Sequence, residues 1–371
     1  MANDYNELLL ELAKSRLPEL PASNKLRIGC VGSGFIMADC HLPSYSNMRW
    51  NLKAICSRNK EVAENLARLH HIKEIYSDVT QMCGSGDIDV LDIAVPPDVQ
   101  PEIIFKALSN PGSLRGILAQ KPLAMDIKTA RQIVDACAKN NIRLAVNQNM
   151  RFDHSIRVAK SLLNRNLLGT PILATIEMRA IPHWMPWSEK LSSLSTYIMS
   201  IHHLDTFRYW FGSPERVFGS TTQDPRTKFN HRDGINLYIL EYDSGLRASA
   251  WDDVWTGPAK EGASSDIYIR WRIEGTEGTA RGTIGWPSYP TKTPSTLEFT
   301  NIKTQCWLKP EWTEAWFPDA FVGTMSQLLV AIEKNQEPEV SGQDNLETIA
   351  LCEAIFQSSQ SHKVLSPALF V

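Results

Sequence analysis

Residues 25–37 read Lys25-Leu26-Arg27-Ile28-Gly29-Cys30-Val31-Gly32-Ser33-Gly34-Phe35-Ile36-Met37. An apolar run that stops at two glycines one residue apart and continues into helix-compatible residues reads as strand, tight turn, helix, the pattern of a dinucleotide site. Gly32 lets the backbone turn sharply. Gly34 has no Cβ to obstruct a pyrophosphate approaching the amides of the helix N-terminus, where the helix dipole also favours an anion. Phe35 and Ile36 open that helix and belong to the same cofactor loop. Met37 stands where a third glycine would bring helix and strand close, and it predicts a looser contact there.

Working outward, 371 residues suggest two domains, because single cores stop growing at about 250–300 residues. A net charge of −3, spread along the chain, offers no basic face for nucleic acid and no polybasic segment for a membrane. The seven cysteines are odd in number and have no C-x-x-C pair, which argues against a disulfide framework or a structural zinc and for a reducing, cytoplasmic setting. The N-terminus has no basic n-region or small-residue cleavage site. Residues 4–17 pattern as an amphipathic helix within an N-terminal extension, 1–24.

After the glycine turn, residues 51–56 form a second strand and 60–70 a helix with Val62, Ala63, Leu66 and Leu69 on one side. Strand 88–95 ends at Val95-Pro96-Pro97, and strand 116–120 ends at Gln120 before Lys121-Pro122. Helices at 101–108 and 127–139 and a strand at 142–146 complete the alternation. Such alternation predicts an α/β domain, 25–147, with a doubly wound parallel Rossmann sheet whose ligand lies beyond the carboxyl ends of the strands. Gly32, Ser57, Val95, Gln120 and Asn147 stand at those ends and converge on one crevice.

The end of the second strand discriminates between cofactors. An acidic side chain about twenty positions past the glycines accepts the free 2′-hydroxyl of NAD. Here the position holds Ser57 followed by Arg58, a hydroxyl donor and a guanidinium suited to a 2′-phosphate. NADP(H) is the preferred cofactor on this reading, with NAD(H) the second choice.

The second part, 148–371, opens on a helix at 153–168 and a strand at 171–179. Ile181-Pro182-His183-Trp184-Met185-Pro186-Trp187 is rich in proline and aromatics; tryptophan faces stack on sugar C–H surfaces, so His183 and Trp184 are candidate substrate contacts. Packing within a loop or against another subunit is the competing reading of that stretch. A helix at 197–211 carries His202, His203 and Asp205. Alternating runs at 235–242, 246–251 and 267–274 suit a large, mainly antiparallel sheet, and 321–333 and 345–361 are helical. An open apolar sheet face of this size predicts a homodimer or homotetramer.

The glycine turn, Val95-Pro96-Pro97, Lys121-Pro122, Asn149-Met150-Arg151-Phe152 and His202-His203-Leu204-Asp205 come in an order that resembles the glucose-fructose oxidoreductase and inositol dehydrogenase family, Gfo/Idh/MocA. The resemblance runs from about residue 25 to 368. It implies an N-terminal Rossmann domain, a C-terminal α+β domain with a large open sheet often used in oligomer contacts, and hydride exchange between a nicotinamide and a secondary alcohol or ketone of a sugar, cyclitol or glycoside. Cofactor contacts are expected from Gly32, Gly34, Phe35, Ile36, Ser57, Arg58, Val95, Pro96, Pro97, Gln120, Lys121 and Asn149. Substrate contacts are expected from Lys121, Arg151, His183, Trp184, His202 and His203, and no metal. The family's Glu-Lys-Pro reads Gln120-Lys121-Pro122, Gln100 stands where a histidine is frequent, and Ser200 replaces a glycine. Ile198 occupies the place of the aspartate that inositol dehydrogenases carry four residues before the histidine.

Alcohol oxidation needs a base for the hydroxyl proton, and ketone reduction needs a donor to the carbonyl. Lys121 fills either role if burial lowers its pKa, and His202 is the second acid/base. Asp205, three residues on, shares a helical face with His202 and can orient its ring. His203 faces about 100° away, and adjacent histidines do not match helical metal spacing. Two other functions fit the same residues: an NAD-retaining glycoside-cleaving enzyme working by transient oxidation and elimination, and a cofactor-binding sensor without turnover.

Overall fold

The computed structural model describes residues 5–179, 187–227, 229–253, 267–286, 288 and 291–371. Contacts divide the chain into two units: residues 18–149 with 318–346, and residues 1–17 with 150–317 and 347–371. Where the sequence places all of 148–371 in one domain and 1–24 apart, residues 318–346 join the Rossmann unit and the first helix, Asn6–Ser15, joins the other.

In the Rossmann unit six strands, β1 (Arg27–Val31), β2 (Asn51–Cys56), β3 (Glu74–Tyr76), β4 (Val90–Ile93), β5 (Gly116–Gln120) and β6 (Arg143–Asn147), lie in the order β3-β2-β1-β4-β5-β6. All five pairings are parallel. The order reverses between β1 and β4, and such a switch point opens a crevice at the carboxyl ends of the strands. β3 has only three residues, too few for an apolar pattern to announce it. Helix Phe321–Lys334 is in this unit because it presses on β5: a Cβ on Gly116 would stand 2.6 Å from Ile332 Cδ1. Met325, Leu328, Leu329 and Ile332 complete the core around Ile28, Ile55, Val90 and Leu118.

In the other unit seven strands, β7 (Pro171–Arg179), β8 (Arg216–Thr222), β9 (Ile235–Glu241), β10 (Arg247–Asp253), β11 (Tyr268–Gly275), β12 (Gly278–Thr283) and β13 (Thr296–Asn301), form one sheet in the order β13-β12-β11-β7-β10-β9-β8. Only β7 and β10 pair in parallel, so the sheet is mainly antiparallel as the alternation predicts. Its inner face is covered by helices. Trp271 Nε1 donates to Ser155 Oγ at 3.1 Å on helix His154–Asn164, and Trp210 on helix Ile201–Phe211 meets Trp271 edge-on. The outer face is open: Leu173, Leu237 and Ile239 are 42, 47 and 45 % exposed. A groove across it is lined by Glu177, Arg270, Arg272, Arg281, Glu298 and Lys309.

None of the seven cysteines forms a disulfide. Among the described residues no helix is long and apolar enough to cross a membrane, and no group of three His, Cys, Asp or Glu could hold a metal.

Candidate active site

The glycine turn has the geometry its sequence requires. Gly32 adopts φ +105°, and a Cβ there would lie 2.2 Å from the Ala94 carbonyl oxygen, so only glycine fits between β1 and β4. Gly34 is exposed, and a Cβ built on it meets nothing within 4 Å, which leaves open space for an approaching ligand. A helix begins at residue 35 with its N-terminal amides beside this space. These features fit a dinucleotide pyrophosphate, which the 32–36 backbone would hold. At the end of β2, Ser57 Oγ shares a hydrogen bond of 2.7 Å with Ser33 Oγ and accepts from Asn59 N, so the hydroxyl is fixed against the turn. Arg58 is exposed and makes no hydrogen bond or ion pair among the described residues, leaving its guanidinium available to an anion.

The helix widens to a π turn over Met37–His41 with the Met37 side chain fully buried. The turn ends on a group the sequence did not reveal. His41 and Asp92 are both 0 % exposed, with His41 Nδ1 2.6 Å from Asp92 Oδ2. Asn147 Nδ2 donates to His41 Nε2 at 2.8 Å. Asn147 therefore turns into the interior rather than into the crevice, because His41 offers it a buried acceptor. Burial, the first cause, and the Asp92 charge hold the Tyr45 hydroxyl well above its ordinary pKa.

Gln120 ends β5 as expected; β4 stops at Ile93 rather than at Val95, so Val95, Pro96 and Pro97 follow it, and Lys121 follows β5 half-exposed. Lys121 N donates to Gln120 Oε1 at 2.9 Å. The amide in place of the family's acid thus still fixes the loop, without a negative charge beside the lysine. Asn149 is buried and begins a short 3-10 turn, Asn149–Phe152.

In the other unit, His202 is 4 % exposed and edge-on to Trp316, ring centroids 5.4 Å apart. The residues before it, Ser195–Ser200, form a second π turn. Its longer turn shifts the helical face by about one residue, so Ile198 is not simply one α-turn below His202. Asp233 fixes the start of that turn, accepting from Leu194 N and Thr196 N at 2.7 Å each. Ser200 Oγ donates to Asp252, and Asn236 Nδ2 donates to Ser200 Oγ at 2.9 Å.

Two expected substrate contacts are buried against acidic partners. His203 is 0 % exposed and turned into the interior, its Nδ1 2.8 Å from Asp252 Oδ1 on β10, because it lies about 100° around the helix from His202. Arg151 is 5 % exposed and gives both arms of its guanidinium to Asp205 at 2.9 and 2.7 Å. Asp205, expected to orient His202, takes that fork and a bond of 3.2 Å from Thr348 Oγ1. His183 and Trp184 lie outside the described residues.

A glycine turn opening onto the switch point of a six-stranded parallel sheet defines a dinucleotide-binding unit, here joined to an α/β unit that carries a histidine helix. Residues 26–148 match the family described as oxidoreductase family, NAD-binding Rossmann fold, and residues 160–366 match its C-terminal alpha/beta domain. The chain belongs to this oxidoreductase family, Gfo/Idh/MocA, and is an oxidoreductase with an NAD-binding fold. Among relatives, D-apiose dehydrogenase of Paraburkholderia graminis is 23 % identical over 342 residues, 90 % of this chain and 88 % of that one. An Agrobacterium radiobacter oxidoreductase solved with NAD+, L-tartaric acid and magnesium shares the fold at a TM-score of 0.78 and 19 % identity, covering 94 % of this chain and 100 % of that one. Levoglucosan dehydrogenase, solved with NADH and L-sorbose, gives 0.77 and 19 %, covering 92 % and 98 %.

Proposed function

We propose that this protein moves a hydride between a nicotinamide cofactor, preferentially NADP(H), and a secondary alcohol or ketone carbon of a sugar, cyclitol or glycoside. Bound at the glycine turn, the cofactor supplies the hydride chemistry. The chain's residues bind, orient and move protons. The observation that carries the reading is Lys121: a primary amine on a hydrogen-bonded loop at the carboxyl end of β5, in the same sheet as the glycine turn. Lys121 takes the hydroxyl proton in oxidation and returns it to the carbonyl in reduction. His202, edge-on to Trp316, is the second proton-bearing group and a substrate contact. Arg58 and Ser57 favour the 2′-phosphate. The names of D-apiose dehydrogenase and levoglucosan dehydrogenase support a carbohydrate substrate. The exposed apolar face of β7 and β9 supports self-association as a dimer or tetramer, and the free thiols suit a reducing compartment.

The test is the absorbance of the purified protein with NADP+ or NAD+ against a panel of sugars, cyclitols and glycosides. Net reduced cofactor is the expected result. Release of an aglycone without net cofactor change would replace the reading with elimination through transient oxidation, and saturable cofactor binding without turnover would replace it with a sensor.

A further inference from the structure

Gln100 opens helix Gln100–Ser109, 20 residues before Gln120 in the sequence, yet its side chain is 0 % exposed and spent entirely on the Lys121 loop. Its Oε1 accepts from Gln120 N at 2.7 Å. Its Nε2 lies 2.8 Å from the Gln120 carbonyl oxygen, 3.0 Å from that of Pro122 and 3.1 Å from that of Leu123. One carboxamide therefore grips the main chain on both sides of Lys121.

The chemistry of the grip singles out glutamine. Three carbonyl oxygens converge on one NH2 group that has two hydrogens, so at least one hydrogen is shared. The carboxamide is both donor and acceptor, and the Gln120 amide needs the acceptor. An ionised carboxylate would accept from Gln120 N but oppose three carbonyl dipoles with a charge and no hydrogen. A leucine would fill the space and leave one buried amide and three carbonyls without this partner.

We propose that Gln100 is the positioning residue of the reaction, fixing the 120–123 loop so that the Lys121 amine is presented at the strand ends. The proposal rests on the reading of Lys121 as acid/base given above. An amine displaced by about 1 Å loses up to about a hundredfold in rate, so a loop fixed by four hydrogen bonds from one side chain bears directly on turnover.

The experiment compares wild type, Gln100→Leu and Gln100→Glu. One readout needs no substrate: the rate at which an acylating reagent labels Lys121 relative to the other lysines, followed by peptide mass spectrometry. The other is kcat and KM across pH on any substrate the panel yields. Gln100→Leu is expected to change the relative labelling of Lys121 severalfold and lower kcat about tenfold or more, with cofactor affinity retained. Gln100→Glu is expected to behave as wild type at acid pH, where the protonated carboxyl donates and accepts like the amide, and to lose both signatures as pH rises and the carboxyl ionises. A residue that merely fills space gives no such pH limb. Gln100→Glu with the wild-type pH dependence of labelling overturns the proposal, as does Gln100→Leu with wild-type labelling and kcat. If Gln100→Leu does not fold, the Gln100→Glu labelling profile decides alone. Failure of every substrate in the panel counts against the proposed sugar, cyclitol or glycoside substrate and leaves the labelling result to decide the role of Gln100.

Discussion

Arg151 and Asp205, 54 residues apart in sequence, meet in a buried two-armed ion pair, Nε to Oδ2 at 2.9 Å and Nη2 to Oδ1 at 2.7 Å. Asp205 lies three residues beyond His202 on one helix, so the pair holds that helix against the turn that begins at Asn149. Thr348 and Arg208 extend the network, with Thr348 Oγ1 donating to Asp205 and Arg208 Nη1 to Thr348 at 2.8 Å. Removing one partner of a buried pair leaves an uncompensated charge, which costs about 3–5 kcal/mol. Arg151→Ala should therefore lower the melting temperature strongly, and Arg151→Lys should recover only part of it, since an ammonium cannot reproduce the planar fork. A melt of Arg151→Ala equal to wild type would return Arg151 to the substrate.

Arg27, the first residue of β1, and Asp89 give a pH-dependent counterpart in the Rossmann unit. Asp89 accepts from Arg27 N, Nε and Nη2 at 2.8, 2.8 and 2.9 Å. Burial acts to raise the Asp89 pKa, but the Arg27 hydrogen bonds and charge outweigh it, and the net direction is down. A depressed carboxylate stabilises the fold above its unfolded pKa, and that contribution disappears as pH falls through the folded value. Asp89→Asn should cost about 1.5–3 kcal/mol at neutral pH. The difference from wild type should close in acid below the ordinary carboxylate range, as urea melts at a series of pH values would show. A difference that persists unchanged through that range would assign the effect to packing.

On the proposed reading, cofactor choice rests on Arg58. Arg58→Ala should weaken NADP(H) by about 1.5–3 kcal/mol, one charge-assisted interaction, and leave NAD(H) nearly unchanged. Calorimetric titration of both cofactors into wild type and variant measures the ratio. An unaltered ratio means that the guanidinium does not meet a 2′-phosphate.

The open sheet face predicts self-association. Leu173, Leu237 and Ile239 project from adjacent or near strands with 42, 47 and 45 % exposure, beside Phe218 at 38 %. Sedimentation at micromolar concentration should show a multiple of 41.7 kDa. Leu237→Glu, a charge in the middle of that apolar patch, should shift the distribution toward monomer; a wild-type monomer at that concentration removes the face from consideration.

Much of this arrangement is legible in the sequence where side-chain periodicity sets it. Residues 127–139 and 171–179 are helix and strand at the bounds their patterns predict, because one buried face imposes period 3.6 or 2 on the residue types. The glycine turn is equally legible, since the Ala94 carbonyl excludes any side chain at Gly32. The two π turns are not, because a shift from i→i+4 to i→i+5 bonding changes no residue class. Nor are the buried polar pairs His41–Asp92, His203–Asp252 and Arg151–Asp205, whose partners lie 49 to 54 residues apart in the chain and carry no local signal. The return of helix Phe321–Lys334 to the Rossmann sheet escapes for a similar reason: its apolar stripe says that it packs, and the sheet it packs on is a matter of long-range contact.

The division of labour between Lys121 and His202 is the sharpest expectation. His202 stands beside Trp316, and Ile198, at the position where the resemblance leads one to expect an aspartate, has a side chain with neither a charge nor a hydrogen-bonding group to stabilise an imidazolium across the widened turn. Ser200, two residues before it, and His203, one after it, are both committed to Asp252. Lys121, by contrast, sits on a loop whose amides and carbonyls are fixed by Gln100 and Gln120. Lys121→Ala should therefore lower turnover by about 10² to 10⁴, the range for a removed general acid/base, with cofactor affinity near normal. His202→Ala should raise the apparent KM with a smaller loss in kcat, because it removes a contact made in both ground and transition states. Steady-state kinetics of both variants, with folding checked by thermal melts, separates the roles. If His202→Ala abolishes turnover while Lys121→Ala retains most of it, the proton passes through His202, and its stabilising partner must come from a residue other than Ile198.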